Sequence, residues 1–234
     1  MIDFHSHILP GIDDGSPDVS ESLRLLQELK HQRVDTVVAS SHYYVTDRSP
    51  SRFLEKRSKA WERLRAELPE KSPHILLGAE VLYFPGISRM EDLPSLCVEG
   101  TDLLLLEMPF GAWTEYMVRE VEDLAYTGAF TVLLAHIDRY LNRENAKVWD
   151  RLLDDGVLMQ ANADFFLPFL TRRKALRMLD EGRIHVLGSD CHNMKNRPPR
   201  MAEAAWMIRD HLGAGVLRDM DALGRELLGL AQSS

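Results

Sequence analysis

Cysteine is nearly absent: Cys97 and Cys191 are the only two in 234 residues. Two thiols build neither a disulfide framework nor a thiolate zinc site, so a reducing compartment is expected. No apolar stretch approaches the roughly 20 residues that a bilayer-spanning helix needs, and no basic segment leads into an apolar run at the N-terminus. The expected location is the cytoplasm, without membrane insertion. A surplus of positive charge is also missing. The formal net charge of -8 argues against general affinity for nucleic acid or anionic membrane, and a polyanionic partner would need a local basic pocket. Low-complexity tracts, repeats and any evident linker are lacking, so a single domain over residues 1–234 is expected.

What is present is an alternation of short β-rich apolar runs with longer helical patterns. The runs predict strands at residues 1–5, 34–40, 74–81, 102–108, 130–136, 157–162 and 184–189. Helical periodicity falls at 20–32, 52–67, 115–126, 145–154, 171–181, 200–211 and 217–230. This spacing is that of βα units in a parallel sheet, and the nearly unbroken apolar character of Leu103–Leu106 and Val132–Ala135 suits strands covered on both faces. A closed α/β barrel and an open doubly wound sheet both satisfy it.

The placement of polar residues separates them. In barrels, catalytic groups gather at the C-terminal ends of the strands, because those ends form one rim. The seven predicted strands end on His5 and His7, His42, Glu80, Glu107, His136, Asn162 and Asp164, and Asp190 and His192. Each alone is explained as a turn or capping residue. Together they would crowd carboxylates and imidazoles onto one rim with no charge compensation unless cations intervene. Imidazole and carboxylate donors without thiolate fit zinc, manganese or iron rather than calcium, and about nine ligands suggest two or three ions.

At this point the residues resemble a known family. His5-Ser-His7, Asp13-Asp-Gly15, Gly78-Ala-Glu80, Leu106-Glu-Met-Pro109, Ala135-His136 with Arg139-Tyr140, and Ser189-Asp-Cys-His-Asn193 resemble the PHP (polymerase and histidinol phosphatase) superfamily. The opening run His5-Ser-His-Ile-Leu-Pro-Gly-Ile-Asp-Asp-Gly15 is similar to the manganese-dependent protein-tyrosine phosphatases of bacterial capsule and exopolysaccharide clusters. The resemblance implies a distorted seven-stranded (β/α)7 TIM-like barrel with three divalent ions, manganese first and iron or zinc as alternatives. His5, His7, Glu80 and Asp190 would hold one ion. Glu80 would bridge to a second held by Glu107 and His136, and Asp14, His42 and His192 would take a third. Arg139 and Arg197 would bind the phosphoryl group. The family usually has Thr-Pro-His where this chain has Ser40-Ser-His42, and His-Pro-Glu-Arg-Tyr where it has His136-Ile-Asp-Arg-Tyr140, which puts two rim loops in question rather than the ligands.

The implied reaction is hydrolysis of phosphotyrosine by in-line attack of a hydroxide bridging two metals. The implied partner is a phosphotyrosine protein, the tail of a bacterial capsule-type tyrosine kinase, and a homo-oligomer stays open. The alternative is a phosphoesterase of the same superfamily acting on a small phosphate monoester such as histidinol phosphate or a nucleotide. A scaffold with a dead site is disfavoured by the retention of every matched ligand. Cys191 to Arg197 satisfies the C-x5-R pattern of cysteine-based phosphatases, but the loop has no glycine and Pro198-Pro199 follows, which opposes a phosphate cradle. Tyr43 and Tyr44 are expected on a substrate-contacting loop, and Trp113, Tyr116 and Met117 on the buried stripe of the next helix, with the mouth of the site as the alternative. Arg172-Arg-Lys174 reads as a solvated face, with docking of an acidic tyrosine-containing tail as the alternative.

Overall fold

The chain follows the alternation its periodicity requires. The computed structural model, which describes residues 1–141 and 143–231, runs β1 (Ile2–Ser6), α1 (Val19–His31), β2 (Thr36–Tyr43), α2 (Pro50–Arg65), β3 (His74–Leu82), β4 (Leu103–Glu107), α3 (Glu115–Tyr126), β5 (Thr131–Leu134), α4 (Arg143–Asp154), β6 (Leu158–Asn162), α5 (Phe169–Asp180), β7 (Val186–Gly188), α6 (Met201–Leu212) and α7 (Ala214–Leu227). All the expected strands and helices form, with ends moved by up to about three residues, the usual uncertainty of boundaries. Between β3 and β4 two 3₁₀ turns, Ile87–Arg89 and Leu93–Leu96, replace a helix.

Local chemistry sets the helix starts. Asp18 caps α1 by accepting from the Glu21 N–H (2.9 Å), Ser49 precedes Pro50 at the first position of α2, and Thr114 caps α3 through the Met117 N–H. On α1, Leu25, Leu26 and Leu29 form the buried stripe. No helix among the described residues is long and apolar enough to cross a membrane.

Seven strands lie in the order β1 to β7, every neighbouring pair parallel. The residues just past β7 complete the ring: Asp190 N–H donates to His5 O (2.7 Å) and His7 N–H to Cys191 O (2.9 Å). Asp3 reinforces this seam, accepting from the Ser189 N–H (2.7 Å) and hydroxyl (2.6 Å). Burial pushes its carboxyl up to about 6 against those bonds. The barrel is distorted between β3 and β4, which pair only from Glu80 to Leu82. Below that point Val98 bonds Leu103 (2.9 Å) and Glu99 bonds Leu77 (2.8 Å), so a connecting segment wedges the strands apart.

An apolar plug that includes Phe4, Val38, Leu105, Leu133 and Val186 fills the lower interior, and Leu228 closes it from the end of α7. Gly224 on α7 is required there, because a Cβ would stand 2.9 Å from the Phe4 ring. In β1 the register slips between Asp3, opposite Val37, and Ser6, opposite Ala39. This bulge spends one extra residue and re-aims the strand, so that His5 and His7 both turn to the interior above the plug.

Candidate metal centre

Above that plug the interior turns polar. Alternation along β2, β3 and β4 carries Val38, Leu76 and Leu105 below to His42, Glu80 and Glu107 at the strand ends. His136 and Asp190 follow β5 and β7 in left-handed backbone, at φ 31° and 51°. Such strain in non-glycine residues concentrates at functional sites, and here it turns both side chains inward. Gly188 must lack a side chain, since a Cβ would meet the His5 Cβ at 2.5 Å and Gln160 Nε2 at 2.7 Å.

Glu80 is the hub. Its Oε2 lies 3.1 Å from His5 Nε2, 3.2 Å from His7 Nε2 and 3.0 Å from His42 Nδ1, and its Oε1 lies 2.7 Å from His136 Nε2. Glu107 reaches His136 at 3.4 Å and His42 at 4.0 Å. Asp190 Oδ1 approaches His5 at 3.6 Å and His7 at 3.4 Å, while Asp14 stands 3.4 Å from both His42 and His192. All nine sequence-selected ligands therefore meet at one end of the barrel. Donor atoms converge in three groups: His7, Asp14, His42 and His192; His5, His7 and Asp190; His42, Glu80 and Glu107. The first group adds His7 to the third set expected from the resemblance.

The imidazoles are held from behind. His5 Nδ1 faces Gln160 Oε1 at 3.1 Å, His7 Nδ1 faces Asp13 Oδ2 at 2.9 Å, and His192 Nδ1 faces the Asp190 carbonyl at 2.9 Å. Each acceptor fixes the proton on Nδ1 and leaves Nε2 as the donor atom, the arrangement that orients metal-binding histidines. Asp13 also accepts from the His42 N–H (3.0 Å). Gln160 also accepts from the His136 N–H (2.6 Å) and donates to Asn162 Oδ1 (3.0 Å).

This donor set fits divalent ions. With Nδ1 of both rings protonated, the Nε2 lone pairs of His5 and His7 would face each other at 3.1 Å, which requires a positive charge between them. Glu80 Oε2 is buried with three imidazole nitrogens around it and no hydrogen bond to any of them. An oxygen so placed suits metal coordination better than hydrogen-bond acceptance. Burial opposes charge, yet His5 and the bond from His136 hold Glu80 well below the usual carboxylate range. Against its own burial, His136 is raised to about 9 by Glu107 and Glu80. Burial, His7 and Arg197 push His192 down to about 4, which keeps its ring neutral.

Arg139 and Arg197 enter from the rim. Both bond Asp190 Oδ2, Arg197 at 2.6 Å, and Arg197 Nη1 lies 2.8 Å from His192 Nε2. They remain 30% and 38% exposed, so each guanidinium borders both the centre and solvent. Asp164 departs from expectation: it is exposed and faces Arg200 (3.5 Å) rather than the cluster. Tyr43 departs too, fully buried edge-to-face against Phe53 (5.4 Å), because β2 continues through it. Its neighbour Tyr44 stacks on His42, ring centroids 5.2 Å apart and 22° from parallel. Trp113 is buried against Tyr140, whereas Tyr116 is exposed.

The C-x5-R loop cannot cradle phosphate. Its N–H groups are consumed: Cys191 on Ser189, His192 and Asn193 on the Arg197 carbonyl, Met194 on Glu21, Lys195 and Asn196 on Asn193. Cys191 itself is fully buried, and burial pushes its thiol pKa up.

The sequence profile of the capsular polysaccharide synthesis family CpsB/CapC matches residues 1–222. The chain belongs to that family. Among CpsB/CapC relatives, the tyrosine-protein phosphatase YwqE of Bacillus subtilis is 28% identical over 222 residues, covering 92% of this chain and 86% of that one. The tyrosine-protein phosphatase CpsB of Streptococcus pneumoniae is 29% identical, covering 94% of each. A crystal structure reported with YwqE from Bacillus subtilis and CpsB from Streptococcus pneumoniae, described as metal-dependent tyrosine phosphatases, superposes with a TM-score of 0.83 at 24% identity. It covers 100% of this CpsB/CapC chain and 96% of that one, and the shared fold is the seven-stranded barrel.

Proposed function

We propose that the chain works as one domain, a metal-dependent protein-tyrosine phosphatase that hydrolyses phosphotyrosine on a protein in the cytoplasm. The observation that carries this reading is Glu80 Oε2, buried without a hydrogen bond amid three imidazoles at the rim of a barrel of the CpsB/CapC family. His5, His7, Glu80 and Asp190 would hold one ion, Glu80, Glu107 and His136 a second, and Asp14, His42 and His192 a third, with manganese the expected metal. The bound ions supply Lewis-acid polarisation of the phosphoryl group and lower the pKa of water towards neutrality.

The protein's own groups do the rest. Gln160 and Asp13 keep the His5 and His7 rings turned so that their Nε2 atoms face the centre. Arg139 and Arg197 present forked N–H donors to the equatorial phosphoryl oxygens, a bidentate match that neutralises charge as the bond to phosphorus breaks. The Tyr44 ring, stacked beside His42, offers a flat apolar wall for the phenyl group of the substrate. A phenol leaves with a pKa of about 10, so little proton donation is needed. The expected physiological partner is the tyrosine-bearing tail of a capsule-type kinase.

The test is hydrolysis of p-nitrophenyl phosphate and of a phosphotyrosine peptide after chelation, with manganese, zinc, iron or magnesium added back. Cys191→Ala and His136→Ala run alongside. Activity restored by metal, kept without Cys191 and lost without His136 is the expected result. Metal-independent activity abolished by Cys191→Ala would overturn it.

A further inference from the structure

α5 starts on the same rim as the metal centre, one 3₁₀ turn (Ala163–Phe166) after β6. Its first two residues, Phe169 and Leu170, are 86% and 91% exposed. One exposed apolar side chain needs no explanation, but two adjacent ones at the mouth of a groove do. The groove, about 710 Å³, runs between α5 and the end of α6, with Leu176 and Leu212 among its apolar lining and Arg172, Arg173 and Arg177 along it.

The charge of this face opposes that of the molecule. α5 carries Arg172, Arg173, Lys174 and Arg177 before its first acid, Asp180, in a chain of net charge -8. Arg139, Arg151, Arg183, Arg200 and Arg225 pair with carboxylates, and although Arg52, Arg57, Arg63 and Arg65 of α2 form no ion pair among the described residues, no exposed large apolar side chain lies on that helix. Among the described residues, Arg172, Arg173 and Lys174 form no ion pair, and Arg177 has only an exposed contact with Glu181 at 3.9 Å, too open to neutralise it. Arg172 is held in place by donating from Nη2 to the Leu167 carbonyl (2.7 Å), and its Nε is buried without a partner. It also lines a second groove, about 500 Å³, with Arg200 and the half-exposed Trp206, and Arg200 reaches back to Asp164 on the rim. The surface is thus continuous from the exposed apolar tip, past Arg172, to the edge of the centre.

We propose that this surface docks an acidic segment of the phosphoprotein substrate, one that carries apolar side chains and lies beside the phosphotyrosine. The proposal rests on the phosphatase reading above. An acidic polypeptide is repelled by the molecule's net charge and attracted here, where arginine forks meet carboxylates and the leucine-lined floor receives apolar anchors. The concave shape favours an extended chain segment over a flat lipid surface.

The test uses the full-length, manganese-loaded enzyme with p-nitrophenyl phosphate, a phosphotyrosine peptide flanked by Asp, Glu and Leu, and the same peptide flanked by Ser and Lys. Arg172→Glu combined with Arg173→Glu is expected to raise KM for the acidic peptide about tenfold with little change in kcat, leaving the other two substrates unaffected. Leu170→Ser, at an almost fully exposed position, should give the same pattern more weakly, and it serves if the charge reversal impairs folding. A fluorescein-labelled acidic peptide without phosphate should bind the wild type and not the double variant in an anisotropy titration. That arm reads docking even if no phosphotyrosine is hydrolysed, so failure of the phosphatase reading and failure of the docking site give different results. The proposal is overturned if the wild type treats the acidic and basic peptides alike, or if p-nitrophenyl phosphate hydrolysis falls in step with peptide hydrolysis. It is also overturned if the double variant loses only binding to phosphatidylglycerol vesicles while peptide KM stays constant.

Discussion

Gln160 Oε1 lies 3.1 Å from His5 Nδ1 and 2.6 Å from the backbone nitrogen of His136, so one side chain on β6 ties the ligands of β1 and β5 to a common point. An amide oxygen can accept both bonds at once, and its own Nε2 is anchored on Asn162 (3.0 Å). Replacing it leaves every ligand in place but frees the His5 ring to turn.

Gln160→Ala should therefore weaken manganese binding about 10–100-fold, the usual effect of removing a partner behind a metal-binding histidine. Calorimetric titration of the chelated protein measures it, with far-UV circular dichroism unchanged. Unaltered affinity would show that the His5 ring needs no outer support.

Both cysteines are buried, Cys191 wholly and Cys97 to 5% exposure. Neither should react with iodoacetamide in the native protein, and both should react in guanidinium. Cys191→Ser should keep most of the phosphatase activity, because the N–H groups around it already have partners. Rapid native labelling of Cys191 coupled to inactivation would contradict this.

The barrel was legible because parallel strands buried on both faces read as unbroken apolar runs, and because ligands at successive strand ends have no reason to recur in an open sheet. The candidate ligands were legible as residue types. Their supports were not: Gln160 reads as one polar residue in a strand, and only its alternation with Leu158 and Asn162 hints that it faces inward. Tyr43 and Tyr44 look equivalent in sequence, yet the strand's period of two sends one into the core and leaves the other against His42. The bulge in β1, which brings His5 and His7 to the interior together, has no glycine or proline to announce it.

Glu120 on α3 supports the loop after β3. It accepts from the Tyr83 hydroxyl (2.7 Å), the Gly86 N–H (2.9 Å) and the Ser88 hydroxyl (3.2 Å). Burial pushes its carboxyl up, but these bonds outweigh burial and hold the pKa below the ordinary value. A lowered folded-state pKa gives stability that is fully present above the unfolded value of about 4.3 and is lost as the pH falls through the folded value. Glu120→Ala should reduce stability at pH 7 by about 1–3 kcal/mol, since it also strands the buried donors. In urea denaturation of the chelated protein, the gap between wild type and variant should narrow as the pH drops below about 4.3. A gap that is constant with pH would mean the carboxylate's charge contributes nothing.

Two roles for Tyr44 are separable, because its half-buried ring stacks on His42, a member of the cluster. If it only steadied His42, Tyr44→Ala would slow every phosphate monoester alike, through the metal. If it also receives the phenyl group of the substrate, the loss falls on aryl phosphates. Aromatic pairing contributes about 0.5–1.5 kcal/mol, so kcat/KM for p-nitrophenyl phosphate and phosphotyrosine should drop roughly 2–12-fold, while glycerol 2-phosphate is unaffected. Tyr44→Phe keeps the ring and removes only the hydroxyl, and should behave like the wild type on all three. Equal losses on aryl and alkyl substrates would assign Tyr44 to His42 alone and leave the preference for phosphotyrosine to the docking of the surrounding chain.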